Sequence, residues 1–249
     1  VAGGPIVHRA WPAASARYPG FASAWDALAA QADGDLLYAP KPPPTSYGAA
    51  LLARRRRARP LLLDIDDWEV GFFRRSGSWG GVGRALNLAN PNGFTWTWLA
   101  EKLVGRADAI TVASRFLERR FGGSFLPHAR DTEAWDPSRY DRAAARSRQG
   151  LGSGKVVMFL GTPRGHKGVD DLIDAVGVRG PGVVLALVGV DPARGGAPRW
   201  SKVPHVKVTP EIPFEDVPRY LVAADVVAVP QRETTDTVGQ VPAKLFDAM

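Results

Sequence analysis

Apolar runs of strand length alternate with segments of helical period along this chain. Leu36-Leu-Tyr38 leads through a proline-rich turn (Pro40, Pro42 to Pro44) into a helix expected near 46–58, and Leu61-Leu-Leu63 follows, ending in acidic residues. The stretch from Trp68 to Asn92 holds five glycines and no clear period, which predicts loop with a short helix. A helix is expected over 94–105, a strand at Ala109-Ile-Thr-Val-Ala113, a helix over 115–121 and a short strand at Ser124-Phe-Leu126. The pattern then breaks and restarts. It predicts strands at Val156–Leu160, Val183–Val188 and Val226–Val229, with helices near 168–178, 214–223 and from 242 onward.

Strands alternating with helices predict an α/β fold of parallel βαβ units whose sheets are covered on both faces. Two such blocks predict two Rossmann-like domains, both incomplete: 1–135, a polar linker over 136–155 containing a mixed charged helix, and 156–249. Open sheets of this kind bind ligands beyond the carboxyl ends of their strands, so the expected site is the crevice where the two domains face each other.

Composition narrows the class. With 45% hydrophobic residues the chain is not wholly disordered, and 249 residues suit one or two domains of about 100–200 residues each. Having no cysteine, it carries neither a disulfide scaffold nor a thiolate metal site, which fits a reducing, cytoplasmic compartment. No apolar run approaches the ~20 residues a membrane-spanning helix needs. Because it starts at Val1 and stops at Met249 inside an expected helix, the chain reads as an internal piece of a longer protein.

Charge is uneven. Residues 1–149 hold 21 Lys and Arg against 14 Asp and Glu, whereas residues 150–249 hold 11 of each. A basic half suggests an anionic partner on one side: a phosphate-bearing substrate, lipid head groups or nucleic acid. The densest run, Arg54 to Arg57 with Arg59, reads equally as a binding patch or as the solvated last turn of a helix. It forms one block rather than a face of cations interleaved with aromatics, so nucleic acid is not an expected partner.

Two segments carry chemistry. In Val156-Val-Met-Phe-Leu-Gly161-Thr-Pro-Arg164-Gly-His166-Lys167-Gly168-Val-Asp170-Asp-Leu-Ile, a buried strand ends at Gly161, a cationic loop follows and a helix starts after Gly168. That places Arg164, His166 and Lys167 where a phosphate could sit, although the loop lacks the closing Gly-Lys-Ser/Thr of a Walker A motif. In the second, Ala224-Asp225-Val-Val-Ala-Val229-Pro230 leads through Gln231 to Val241 into Pro242-Ala-Lys244-Leu-Phe-Asp247-Ala-Met249. Pro242 suits a first helical position, where free N–H groups attract an anion. Gly239 and Gln240 allow close approach there, Lys244 adds a charge, and Asp247 could accept from ribose hydroxyls.

In order and spacing, the two segments together resemble the donor side of family 4 (group 1) retaining glycosyltransferases of the GT-B fold. Leu187-Val-Gly189, Phe214-Glu-Asp-Val-Pro-Arg-Tyr-Leu221, Arg106-Ala-Asp108-Ala-Ile-Thr-Val-Ala-Ser114 and Leu126-Pro-His-Ala-Arg-Asp131 are similar to the segments between and before. The resemblance covers residues 100–249 well and 1–100 loosely. It implies transfer of a sugar from a nucleotide-diphosphate sugar to a glycan or lipid-linked acceptor with retention, without a cofactor or an obligatory metal. The nucleotide would lie on the C-terminal domain and the acceptor on the N-terminal one. Lys167 matches the loop lysine that neutralises the donor phosphates; Thr162 stands where relatives often carry Arg, and Arg164 is expected to take that part. Gly161, Thr162, Gly239, Gln240, Lys244 and Asp247 match donor-binding positions. The family's paired acids lie eight positions apart, and Gly239 stands where the first would be, with Glu233 and Asp236 only neighbours.

Leu63-Asp64-Ile-Asp66-Asp67-Trp68-Glu69 stands where many members carry a His. Asp66, Asp67 and Trp68 are the acceptor-side candidates. Asp64-x-Asp66 also invites the metal site of GT-A glycosyltransferases or the nucleophile and acid of haloacid-dehalogenase-type phosphatases. Otherwise these acids cap a loop or pair with Arg74 and Arg75. Trp68, Phe72, Phe73, Trp79, Trp96 and Trp98, with Arg74, Arg75 and Arg84, could stack on a sugar or lie against an anionic membrane at the inner face, while core packing is the default for at least half of them. A GT-B sugar-nucleotide epimerase and a non-catalytic nucleic-acid-binding module are the competing functions.

Overall fold

The computed structural model describes residues 16–73, 87–191, 193, 197–235 and 237–249. Contacts divide them into two compact units, one running to Pro127 and including Thr235–Val241, the other comprising His128–Thr234 and Pro242–Met249.

The first unit holds a four-stranded parallel sheet in the order β1 (Leu37–Pro40), β2 (Leu61–Ile65), β3 (Ala109–Val112), β4 (Ser124–Phe125). Side chains alternate across a strand, so Leu61, Leu63 and Ile65 all point into one core, where they meet Tyr47, Val112 and Leu117. Of the helices α1 (Gly20–Gln31), α2 (Ala49–Arg56), α3 (Phe94–Glu101) and α4 (Arg115–Phe121), α2 and α4 pack on the strands, α1 lies against α2, and α3 packs on the neighbouring turns. A π-type turn, Pro44–Gly48, runs directly into α2 and accounts for the early part of the helix expected over 46–58. The expected 94–105 helix divides into α3 and a 3₁₀ turn at Val104–Arg106. Ser114 caps α4, its hydroxyl accepting from Leu117 N. The same hydroxyl donates to the Gly239 carbonyl, at 2.9 Å.

The second unit holds β5 (Lys155–Leu160), β6 (Val183–Val188), β7 (Val206–Thr209) and β8 (Val226–Val227), parallel and ordered β7-β6-β5-β8. Phe159 packs on one side with Leu185, Leu187, Ile173 and Trp200. Val156, Met158 and Leu160 pack on the other with Ala186, Val188 and Val217. A sheet buried on both faces needs the near-continuous apolar runs seen in β5 and β6. The expected linker over 136–155 is built into this unit. Its helix α5 (Arg142–Gln149) is capped by Asp141 and ends at Gly150 in the left-handed region, with Ala145 and Leu151 buried. Helices α6 (Val169–Gly177), α7 (Ala197–Trp200), α8 (Val217–Leu221) and α9 (Ala243–Ala248) complete it.

One local device recurs in both sheets. Asp108, just before β3, accepts from Leu61 N at 2.8 Å and from Arg54 at 2.9 Å. Asp225, just before β8, accepts from Val156 N at 2.7 Å and from Arg146 and Arg142 at 2.6 and 2.7 Å. The Val156 N–H and these guanidinium groups hold the Asp225 carboxyl below its ordinary range. A carboxylate with a lowered pKa adds stability above its ordinary value and loses it as pH falls through the folded value. Asp225→Ala is therefore expected to cost about 1–2 kcal/mol at neutral pH. In urea melts the gap between variant and wild type should close at acid pH; a gap that persists there assigns the loss to packing.

Candidate functional site

In the second unit the chemistry gathers where β5 ends. Gly161, at φ 115°, and Gly189, at φ 85° after β6, are conformations glycine adopts freely. A Cβ on Gly189 would lie 3.1 Å from Gly161 Cα, so the two strand ends meet as bare backbone. Gly168, left-handed at φ 53°, closes the loop and opens α6. The loop is tied by Lys167 N to Arg164 O at 2.8 Å and by Arg232 N to His166 O at 2.8 Å. Arg232 also grips Asp171 of the first turn of α6 through two bonds, at 2.7 and 2.6 Å.

Lys244, on the first turn of α9, reaches back to this strand end. Its ammonium donates to the Leu160 carbonyl, lies 5.1 Å over the Phe159 ring, and occupies the space a Cβ on Gly161 would need. Lys167 Nζ donates to Thr162 O at 2.9 Å. Burial first, then the charge of neighbouring Lys167, pushes Lys244 down to about 8. Burial and the charge of exposed Arg164 likewise lower Lys167. Gly161, Thr162, Arg164, Lys167 and Lys244 thus form one group with excess positive charge held partly out of water, an arrangement that an anion would relieve. The helix begins one residue later than expected, with Pro242 as its N-cap.

Asp247 is nine-tenths buried and accepts from Arg130 Nε. Its charge is therefore already met by a cation, a partner that sequence reasoning did not supply. The Arg130 guanidinium also lies 5.6 Å from both the Trp135 and Phe214 rings, and His128 sits edge-on to Phe246. Gly239 and Gln240, grouped with the donor loop by sequence, pack in the first unit. A Cβ on Gly239 would meet Phe116 and Trp68 at 3.1 and 3.2 Å, and Gln240 Nε2 donates to Asp67 at 2.9 Å. The close approach this glycine permits is to aromatic rings. Glu233 is exposed, and Asp236 lies outside the described residues.

The acidic run of the first unit sits at the carboxyl ends of β1 and β2. Asp64 is engaged within the sheet, accepting from Tyr38 at 2.8 Å and Thr111 at 2.5 Å. Asp66, Asp67 and Glu69 place carboxylate oxygens within 4.8 Å of one another, close enough to share an ion. Lys41 stands among them, 3.2, 3.2 and 3.0 Å from the three. Burial opposes its charge, but the bond to Glu69 and the nearby acids outweigh it and hold the ammonium above its ordinary range. Burial also raises Glu69. Arg74 and Arg75, the expected partners, lie outside the described residues with Trp79 and Arg84.

Trp68 is a core residue with no open face for a sugar: Arg120 lies 4.3 Å over its ring and Phe116 5.6 Å away. Phe73 packs edge-on to Phe94, Trp96 stacks against Tyr18, and Trp98 remains exposed. In the arginine run, Arg54 pairs with Asp108, Arg56 with Asp26 and Arg57 with Asp35, so most of it is already committed. Among the described residues no helix is long and apolar enough to cross a membrane.

No family model matches the chain. It is 36% identical over 197 residues to the GDP-mannose-dependent alpha-(1-6)-phosphatidylinositol monomannoside mannosyltransferase of Mycolicibacterium smegmatis, covering 73% of this chain and 47% of that protein. To the protein of the same name from Mycobacterium tuberculosis it is 28% identical over 173 residues, covering 61% and 45%. The chain spans about half the length of the curated relatives it matches. Among solved structures, HepE of Anabaena in complex with UDP-glucose aligns with a TM-score of 0.57 at 19% identity, over 86% of this chain and 57% of that one. A glycosyltransferase from Rickettsia africae aligns at 0.56 and 10% identity, over 84% and 55%. The fold is that of GT-B glycosyltransferases.

Proposed function

We propose that this chain is part of a retaining glycosyltransferase of the family 4 type. It takes its sugar from a nucleotide-diphosphate donor, with GDP-mannose as the first candidate because the matched relatives are named for it. The observation that carries this reading is the Lys244–Lys167 pair, with Arg164 beside it, over the bare Gly161 backbone. When the bond between the anomeric carbon and the phosphate oxygen breaks, its electron pair leaves with the diphosphate while the acceptor hydroxyl oxygen bonds to carbon and gives its proton to an oxygen of the departing diphosphate. Negative charge grows on the departing group, and cations already fixed there stabilise the transition state more than the ground state.

In this reading Asp247, oriented by Arg130, offers its remaining lone pairs to ribose hydroxyls. Gln240 and Gly239 act on the acceptor side with Asp66 and Asp67, whose oxygens suit the hydroxyls of a glycan. A lipid-linked glycan acceptor follows from the phosphatidylinositol monomannoside in the relatives' name. The protein then works in the cytoplasm against the inner face of the membrane.

Calorimetric titration of the intact protein with GDP-mannose and UDP-glucose tests the donor assignment. Wild type should bind one of them, and Lys167→Ala should weaken that binding about tenfold or more, since a bond to a charged group contributes about 1.5–3 kcal/mol. Unchanged affinity in the variant would remove the phosphate grip from this loop.

A further inference from the structure

We infer, resting on the donor reading, that Arg232 is a positioning residue: it straps the chain on both sides of Lys167 and so keeps that ammonium aimed at the donor diphosphate. Lys167 stands in a stretch with little to hold it from within. Gly165 and Gly168 flank the His166-Lys167 pair, and glycine loses more backbone freedom on folding than any other residue. The short turn Gly165–Lys167 has one backbone bond of its own, from Lys167 N to Arg164 O. A loop of this composition keeps one pose only when neighbouring chain ties it down.

The segment after β8 does this from two sides. The Arg232 N–H donates to the carbonyl of His166, the residue before Lys167, at 2.8 Å. The Arg232 guanidinium donates to both carboxylate oxygens of Asp171, in the first turn of α6 beyond Lys167, at 2.7 and 2.6 Å. Between these two points the bare Gly168 closes on the Pro230 carbonyl. One residue thus fixes the chain before and after Lys167, and every partner lies in the second unit. An exposed ion pair ordinarily contributes little, because two long side chains are immobilised and water screens their charges. A guanidinium that meets both oxygens at once is the exception, since its planar fork is already shaped for the carboxylate. The bonds from Arg232 hold the Asp171 carboxyl below its ordinary range. With its charge met by Asp171, Arg232 acts on a donor through Lys167 rather than by contact.

Arg232→Ala removes the fork, keeps the backbone bond to His166 and alters only an exposed side chain, so the variant should melt close to wild type. Two measurements on the intact protein test the strap. Without ligand, the Lys167 amide should exchange its hydrogen about two- to tenfold faster in Arg232→Ala, the change expected from losing one such tie. In calorimetric titration with GDP-mannose, or with UDP-glucose where wild type takes that instead, Arg232→Ala should weaken binding by about two- to tenfold. The same substitution made in Lys167→Ala should weaken it no further, because the group being aimed is already gone. A side chain that merely supports the fold would lower affinity equally in both backgrounds. Unchanged exchange at Lys167, a loss of affinity that repeats in full without Lys167, or affinity lost only together with the folded state would each overturn the assignment. Should wild type bind neither sugar nucleotide, the donor reading falls, and the exchange experiment alone decides whether Arg232 holds the loop.

Discussion

On the proposed donor reading, Lys244→Ala is expected to weaken binding of the nucleotide-diphosphate sugar by about 10- to 100-fold, the loss of one charge-assisted contact in a partly desolvated site. Its pH dependence is the sharper test. Burial and the charge of Lys167 bring Lys244 from its ordinary 10.5 down to about 8. Above pH 8 the empty site sheds this proton and must recapture it to hold an anion, so affinity should fall as pH rises, approaching tenfold per pH unit. Stability of the unliganded protein moves oppositely: between about 8 and 10.5 the unfolded chain binds more protons, and stability rises with pH through that window. Lys244→Arg keeps a permanent charge and should flatten the binding profile. Titrations at pH 7, 8 and 9 decide the matter; a wild-type profile with no fall, or the same fall in the arginine variant, takes Lys244 out of the anion site.

Gly168→Ala is the second large effect, and it should appear in stability. The residue is left-handed, and its Cβ would run into the Pro230 carbonyl oxygen, a backbone atom that cannot swing aside. The left-handed conformation costs about 1–2 kcal/mol and the overlap about 1–3 more, a loss of about 2–5 kcal/mol in denaturant melts. Gly161→Ala makes the contrast. Its Cβ meets only the end of the Lys244 side chain, which can move away. At φ 115° its backbone is nevertheless strained for any side chain, so that variant too should lose stability, and it should in addition lose donor affinity, because the displaced ammonium is the group proposed to hold the anion. Unchanged donor affinity in Gly161→Ala would contradict the proposed role of Lys244.

The parallel α/β plan was readable because β2, β5 and β6 are buried and spell this out in continuous apolar runs, and because Ser114 and Gly168 mark helix starts. Strand β7 was missed: Val206 and Val208 alternate with Lys207 over only four residues, too few to establish a period, and a lysine on an edge strand resembles a loop. Helix α1 was missed because its alanine-rich sequence has a weak stripe and no side-chain cap. Cations next to a strand end are what mark Lys167 and Arg164 as candidates in the sequence. Lys41 escaped notice because its tie to Asp66, Asp67 and Glu69 depends on register. Pro40 pairs with Asp64, which brings the residues after both strands together. Arg130 and Asp247, 117 positions apart, offer no local signal at all. Trp68 shows the ambiguity of aromatics near loops, since a stacking platform and a core ring look alike until the neighbours are known.

Side by side at the tips of β5 and β6, Gly161 and Gly189 make a surface out of peptide alone. Such a surface has no side-chain identity for selection to exchange: a substitution there adds bulk or nothing. On the proposed reading, a lineage that changed the sugar or base it accepts would have to redraw the flanking walls and leave this patch as it found it. Glycines at these two positions should therefore outlast differences in specificity among proteins built on the same plan.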